Sequence, residues 1–461
     1  MAKVLKLSIG VGKIFLNFPI TIGSFLLFSN CYWEIIRIFA KQNTSIMITK
    51  DTLLQIIYEQ KEYKLHNVIA RKIDSKLLNC AEVLVITGVR RCGKSVLLRQ
   101  IQSSRSERDY YINFDDERLL SFTVEDFQKL DELFHEEFGE QHTYYFDEIQ
   151  NIDGWERFVS RLYSSDNKVF VTGSNAHLLS KEMGTLLTGR HVTHELYPFS
   201  FAEYLEFLGV DFSRKDFFTT KGKALLSSSF QDYLVKGGFP QYLNNGSENY
   251  LKSIYSDIVF RDVIVRNRIS SERQLREMLF YLASNATNLC TYNSIAKNIG
   301  MSSSDTISSW IDNIEQTYLI SQLCKYSPKV GIQLRSPKKI YFIDNALASQ
   351  IGFNMSKNIG RWLENVVAVE LLRRGGNVFY YNDGAECDFV VREGNTVKQV
   401  IQVTASMESE PTRSRELKGL QTAMDAFGLN SGIILTLTET ETISLPDGKE
   451  IIIIPCWRWM L

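Results

Sequence analysis

Leu84-Val-Ile-Thr-Gly-Val-Arg-Arg-Cys-Gly-Lys-Ser95 is the stretch on which the reading of this chain turns. Leu84 to Thr87 is apolar or β-branched and ends at a glycine, the pattern of a buried strand. Gly88 and then Gly93-Lys94-Ser95 follow at the spacing of a phosphate-binding loop. Val96, Leu97, Leu98 and Ile101 return at helical spacing. Strand, glycine loop and helix are the context that such a loop requires. Glycines let backbone N–H groups close around phosphate oxygens, and the new helix turns its positive dipole end toward the same anion. The candidate phosphate contacts are therefore Gly88, Val89, Arg90, Arg91, Cys92, Gly93, Lys94, Ser95 and Val96. Lys94 is expected to reach the terminal phosphates, and the Ser95 hydroxyl to ligate Mg²⁺. Cys92 reads as a small residue at a variable loop position rather than as a redox sensor.

Two later strands end in polar groups. Thr143-Tyr-Tyr-Phe-Asp147-Glu148 is an apolar run closed by two carboxylates. In an open α/β sheet both motifs lie at the carboxyl ends of strands, where ligands bind. Asp147 is expected to support Mg²⁺ and Glu148 to take a proton from the attacking water. Lys168-Val-Phe-Val-Thr172 is followed by Gly173-Ser174-Asn175. Asn175 is expected beside the terminal phosphate; the alternative is that Ser174 and Asn175 cap the next helix. Arg190 closes Leu186-Leu187-Thr188-Gly189-Arg190. It is either an arginine finger at a subunit boundary, which implies a homo-oligomer, or a surface ion pair.

At 461 residues the chain is long enough for two to four domains. It is 44% hydrophobic and 23% charged with a formal net charge of −1, so no overall basic excess points to nucleic acid. Seven scattered cysteines without a C-x-x-C pair suggest neither a zinc site nor a disulfide framework and fit a reducing cytoplasm. Residues 1–46 differ from the rest. Ile14 to Trp33 carries no charge and is rich in Phe, Leu and Ile. The preferred reading is an upstream start or an extension; a membrane anchor over 14–33 and a packed helix are the alternatives.

Residues 51–60 and 68–79 read as two helices before the first strand. Phe201 to Leu208, Ala224 to Leu234 and Tyr250 to Val265 are helical by pattern; Arg261, Arg266 and Arg268 read as a solvated face with Asp257 and Asp262 interleaved, the alternative being a lid arginine that senses nucleotide. Residues 287–324 read as a winged helix: short helix, turn, second helix, then a wing strand. The second helix, from Ser303, offers serines and no Lys or Arg, which favours a structural role over base reading. Lys325, Lys329, Arg335, Lys338 and Lys339 then form a basic arm, expected either to track nucleic-acid phosphates or to be a charged hairpin.

Taken in order, these motifs, with Asp147-Glu148-Ile149-Gln150, Thr172-Gly-Ser-Asn175, Leu187-Thr-Gly-Arg190 and Pro198-Phe-Ser-Phe-Ala-Glu203-Tyr204, resemble one group of prokaryotic AAA-superfamily ATPases. The resemblance runs from about Met47 to Leu461. It implies ATP and Mg²⁺ as cofactors, a helical lid, Arg190 as a finger, and a C-terminal domain similar to restriction-endonuclease-like folds. In that domain Glu364 and Asp388 fit the metal-binding pattern, but the third motif is Gln402-Val403-Thr404 and lacks its lysine, so catalysis there is not expected. The expected architecture is α/β. Residues 1–46 form the extension, 47–200 the ATPase domain, 201–285 the lid, 286–345 the winged helix and basic arm, and 346–461 the C-terminal domain. The expected function is an ATP-driven switch acting on an unknown client. The alternative is an ATP-gated nucleic-acid-binding component of defence or mobile elements, and after that an ATP-dependent nuclease.

Overall fold

The structure is a computed structural model that describes residues 5–8, 13–16, 48–63, 65, 68–174, 187–352 and 359–461. Asn175 and residues 17–33 of the apolar N-terminal stretch lie outside these residues. The N-terminal part that is described is a two-stranded antiparallel pair, β1 (Leu5–Ser8) and β2 (Lys13–Leu16).

The first large sheet is built around β3 (Val83–Thr87), every residue of which is buried. Its order is β4-β5-β6-β3-β7, with β4 at Tyr110–Asn113, β5 at Thr143–Asp147, β6 at Lys168–Thr172 and β7 at His191–Glu195. All four neighbouring pairs are parallel. A parallel sheet is covered on both faces, which is why the central strands read as continuous apolar runs. Alternation still sorts the side chains: Leu84 and Ile86 join one core, Val83 and Val85 the other.

Helix α1 (Lys50–Glu62) is capped by the Thr49 hydroxyl. The helix expected over 68–79 forms only as α2 (Ser75–Asn79). Residues 68–74 run without helical structure because Arg71 is drawn beneath the phosphate loop. Helices α3 (Lys94–Ser103), α4 (Asp126–Phe138) and α5 (Trp155–Ser164) connect the strands.

A helical region follows, with α6 (Phe201–Phe207), α7 (Thr220–Lys236), α8 (Pro240–Asn245) and α9 (Glu248–Asp257). Helix α9 continues into a π-helical segment, Ile258–Val265, and α10 (Glu272–Ser284) completes the region. Next come β8 (Leu289–Cys290), α11 (Tyr292–Asn298), α12 (Ser304–Glu315), β9 (Ile320–Leu323), α13 (Val330–Arg335) and β10 (Lys338–Phe342). The three strands form an antiparallel sheet with β10 in the middle. Helix α14 (Asn345–Ile351) leads to the C-terminal domain.

That domain carries α15 (Ile359–Arg373) and the sheet β11-β12-β13-β14-β16-β15. β11 spans Asn377–Asn382, β12 Glu386–Glu393 and β13 Thr396–Val403. Helix α16 (Glu410–Phe427) packs on it. β14 is Ser431–Thr436, β15 Glu441–Ser444 and β16 Glu450–Pro455, and α17 (Cys456–Met460) ends the chain.

One apolar cluster runs from Leu84 and Leu98 through Leu279 and Ile311 to Leu363 and Trp457. The parallel sheet, helical region and C-terminal domain therefore share a core rather than standing apart. Close-packed interiors resist separation. Among the described residues no helix is long and apolar enough to cross a membrane.

Candidate nucleotide-binding site

The phosphate loop begins at Gly88, whose φ is +139° and whose missing Cβ would lie 2.1 Å from the Leu196 carbonyl oxygen. Only glycine fits there. Gly93, at φ +106°, precedes α3 and offers no side-chain cap, so the first N–H groups of the helix stay available to an anion. The buried Lys94 ammonium donates to the carbonyls of Gly88 (3.2 Å) and Val89 (3.1 Å). It stands 3.9 Å from Glu148 Oε1. Beneath the loop, Arg71 Nη1 donates to the Cys92 carbonyl at 2.7 Å while its Nε bonds Glu203 Oε1 at 2.8 Å. No local pattern marks Arg71 in the sequence; its partners lie 21 and 132 residues away.

The carboxylates arrive from β5. Ser95 Oγ donates to Asp147 Oδ1 at 3.1 Å, and Tyr111 OH donates to Asp147 Oδ2 at 3.1 Å. Burial pushes the Asp147 carboxyl above its ordinary range and the Glu148 charge adds to this, while bonds from Thr172, Ser95 and Tyr111 pull the other way. Thr172 is the hub that the sequence reading left out. Its hydroxyl donates to Asp147 Oδ1 and accepts the Glu148 N–H at 2.9 Å. The available signal was a polar residue ending an apolar strand. Glu148 has φ +50°, a left-handed conformation that costs a non-glycine residue about 1 kcal/mol. Thr172 at its N–H and Gln150, which donates to its carboxylate, hold it there.

These residues fit a nucleoside triphosphate with Mg²⁺. Ser95 and Asp147 present hard oxygen donors side by side, and the loop offers glycine backbone, an uncapped helix start and an ammonium.

Arg90 does not point into open solvent. Its Nε and Nη2 bond Asp262 Oδ2 and Oδ1 at 3.0 and 3.1 Å. Asp262, expected on a solvated face, is instead buried in the π-helical segment. A π-turn places side chains about five residues apart on one face, and this alters which side of the helix meets the loop. Arg91, at φ +66°, is exposed. Cys92 is buried against the Leu196 carbonyl, and burial pushes its thiol up, away from the reactive thiolate.

Arg190 is not brought to this site. It lies before β7, where its carbonyl accepts the Val83 N–H at 2.9 Å, at the opposite end of β3 from the loop. Its side chain is exposed, bonds Ser160 Oγ at 3.3 Å and sits over the Tyr163 ring.

The basic arm is also rearranged. Lys338 and Lys339 are buried in β10, and the Lys338 ammonium donates to the carbonyls of Gln333 and Leu334 at 2.8 and 3.2 Å. Lys329 and Arg335 remain exposed. The arm is thus not a row of five solvent-facing cations. Lys339 instead enters the C-terminal domain and meets Glu364 and Asp388, so a lysine is present there in space although the Gln402-Val403-Thr404 motif lacks one.

Comparison with known proteins identifies the family. A profile described as "AAA domain" matches residues 81–205, and profiles described as domains of unknown function (DUF8612 and DUF4143) match 227–357 and 359–459. An uncharacterized protein of Methanocaldococcus jannaschii, MJ1544, is 34% identical over 440 residues, 90% of this chain and 97% of its own length. An uncharacterized protein of Haemophilus influenzae is 32% identical over 396 residues, 81% and 94% of the two chains. Among solved structures, AMPPCP-bound DnaA from Aquifex aeolicus aligns over 52% of this chain and 84% of its own at 15% identity and a TM-score of 0.22. Thermotoga maritima RuvB aligns over 54% and 82% at 14% identity and a TM-score of 0.26. The chain belongs to the family of these archaeal and bacterial relatives, AAA-superfamily P-loop ATPases that carry C-terminal domains of unknown function.

Proposed function

We propose that the protein hydrolyses ATP with Mg²⁺ and uses the cycle to change the contact between its phosphate loop and its helical region, acting on a client. The observation that carries this reading is the five-residue constellation at the loop. Thr172 ties Asp147 to Glu148, Asp147 is shared with Ser95, and Lys94 faces Glu148 at 3.9 Å. Bound Mg²⁺ supplies charge neutralisation at the phosphate oxygens. Lys94 holds the terminal phosphate charge. Glu148, fixed at its N–H, takes the proton of the attacking water on its carboxylate. Since the domains share one core, the moving contact is the Arg90–Asp262 pair between loop and π-helical segment.

Arg190 serves a neighbouring copy. Five residues of β3 separate it from its own loop, about 15 Å at strand rise. Its exposure and weak local bonding leave it free to extend. Mixing two inactive variants tests this. Lys94→Ala has a dead loop and an intact finger, and Arg190→Ala the reverse. The mixture should recover turnover that neither shows alone. Full turnover by Arg190→Ala, or a mixture that stays inactive, contradicts the arrangement.

A further inference from the structure

The resemblance of the C-terminal domain to restriction-endonuclease-like folds implies a divalent cation between Glu364 on α15 and Asp388 on β12. The residues present do not fit one. The place is taken by the Lys339 ammonium, which lies 3.0 Å from Glu364 Oε1, 2.9 Å from Asp388 Oδ1 and 2.8 Å from Glu386 Oε1. Its side chain is 3% exposed. Two of the three ammonium N–H donors are hydrogen-bonded, to Glu364 and Asp388, and Glu386 pairs with the same charge.

Two further donors act on the same carboxylates. Tyr341 OH donates to Glu364 Oε1, the oxygen that Lys339 also meets, at 2.8 Å, and the Val403 N–H donates to Asp388 Oδ2 at 3.0 Å. Glu416 is held by Gln402 and Arg415. Gln402, the first residue of the motif that lacks its lysine, works as a spacer: its Oε1 accepts the Asp388 N–H at 3.1 Å and its amide bonds Glu416. Among the described residues no group of three or more His, Cys, Asp or Glu side chains is arranged to hold a metal ion.

Space is not what keeps a cation away. A cavity of about 590 Å³ opens onto the cluster, lined by Lys339, Glu364, Asp388 and Glu416 together with Arg361 and Arg415. That is ample for a hydrated ion, so charge decides the matter. Buried carboxylates need a positive partner, because leaving one unpaired costs several kcal/mol. The partner here comes from outside the domain. Lys339 stands on β10, the middle strand of the preceding three-stranded sheet, so the same ion pairs fasten that sheet to the C-terminal domain.

We infer that Lys339 is an internal counter-ion standing in for a divalent cation: it closes the C-terminal carboxylate cluster to metal and docks the two units to each other. A hard cation binds between Glu364 and Asp388 only once the ammonium is removed.

The experiment measures Mn²⁺ binding to the full chain without nucleotide, by magnetic resonance of the free ion. Wild type and Asp388→Asn should take up the same amount. Lys339→Met should gain one site, at least about tenfold tighter than any in wild type, and Lys339→Met/Asp388→Asn should lose it again. Lys339→Arg keeps the charge and should gain nothing. Lys339→Met should also melt at a lower temperature than wild type, and Mn²⁺ should raise it. If this variant folds poorly in metal-free buffer, its recovery on refolding with Mn²⁺ is the readout. Mn²⁺ uptake by wild type that Asp388→Asn abolishes would overturn the inference. So would a folded Lys339→Met that binds no more than wild type. Because nucleotide is absent, these outcomes do not depend on ATP hydrolysis.

Discussion

Arg90 and Asp262, 172 residues apart in the chain, form a two-pronged ion pair that joins the phosphate loop to the π-helical segment. Arg90 Nε and Nη2 meet Oδ2 and Oδ1 at 3.0 and 3.1 Å, the paired geometry in which guanidinium and carboxylate bind best. Asp262 is buried and Arg90 is partly so. The contact therefore has the strength to hold the helical region and the position to feel an anion entering the loop.

A double-mutant cycle measures that contact. Arg90→Ala and Asp262→Ala should each destabilise the protein by about 2–4 kcal/mol, with a coupling of about 1–3 kcal/mol, read by urea unfolding. Additive effects would mean that the pair is not a unit. The same variants should alter the dependence of turnover on ATP concentration.

The loop's first glycine predicts a sharp contrast between two substitutions. Gly88→Ala forces a Cβ to within 2.1 Å of the Leu196 carbonyl and should cost at least about 3 kcal/mol, with loss of nucleotide binding. Gly246→Ala faces open space at φ +60° and should cost only about 1 kcal/mol. Chemical denaturation and a fluorescent ATP analogue read the two.

Thr172→Val keeps the shape and removes the hydroxyl that ties Asp147 to Glu148. Turnover should fall about 10- to 100-fold with little change in KM, because the loss falls on positioning rather than on binding the phosphates. A variant whose kcat stays within about twofold of wild type would remove Thr172 from the constellation.

Asp344 gives a pH dependence. Its carboxylate accepts N–H bonds from Gly238 at 2.7 Å and Leu347 at 3.0 Å, joining α14 to the turn after α7. Burial nevertheless lifts its pKa from 3.8 to about 6. The native chain thus keeps a proton that the unfolded chain has released between those values. Stability should fall as pH rises through this window, by about 3 kcal/mol at most, and level off above pH 6. Unfolding of Asp344→Asn measured over the same range should show a flatter profile.

The features legible in the sequence were those with a local cause. Leu84 to Thr87 is buried on both faces and reads as an unbroken apolar run; Gly88 and Gly93 mark positive φ; Asp147-Glu148 stands at a strand end. Where the reading failed, the cause was pairing across the chain. Asp262 alternates with charged neighbours and looks solvated, and only the π-turn reveals that it is buried. Arg71 pulls residues 68–74 out of the expected helix through partners far away. Lys339 belongs by sequence to a basic arm and by contact to a carboxylate cluster 25 and 49 residues on. A motif search along the chain cannot find a lysine that reaches its site from a different strand.

The most direct test of the central claim is ATP turnover by Glu148→Gln beside its ATP affinity. Gln keeps the size of the side chain and removes its ability to take a proton. Affinity should stay within a few-fold of wild type while turnover falls by about 100- to 1000-fold. Turnover within about twofold of wild type, or a wild-type protein that binds ATP and does not hydrolyse it, would contradict the account.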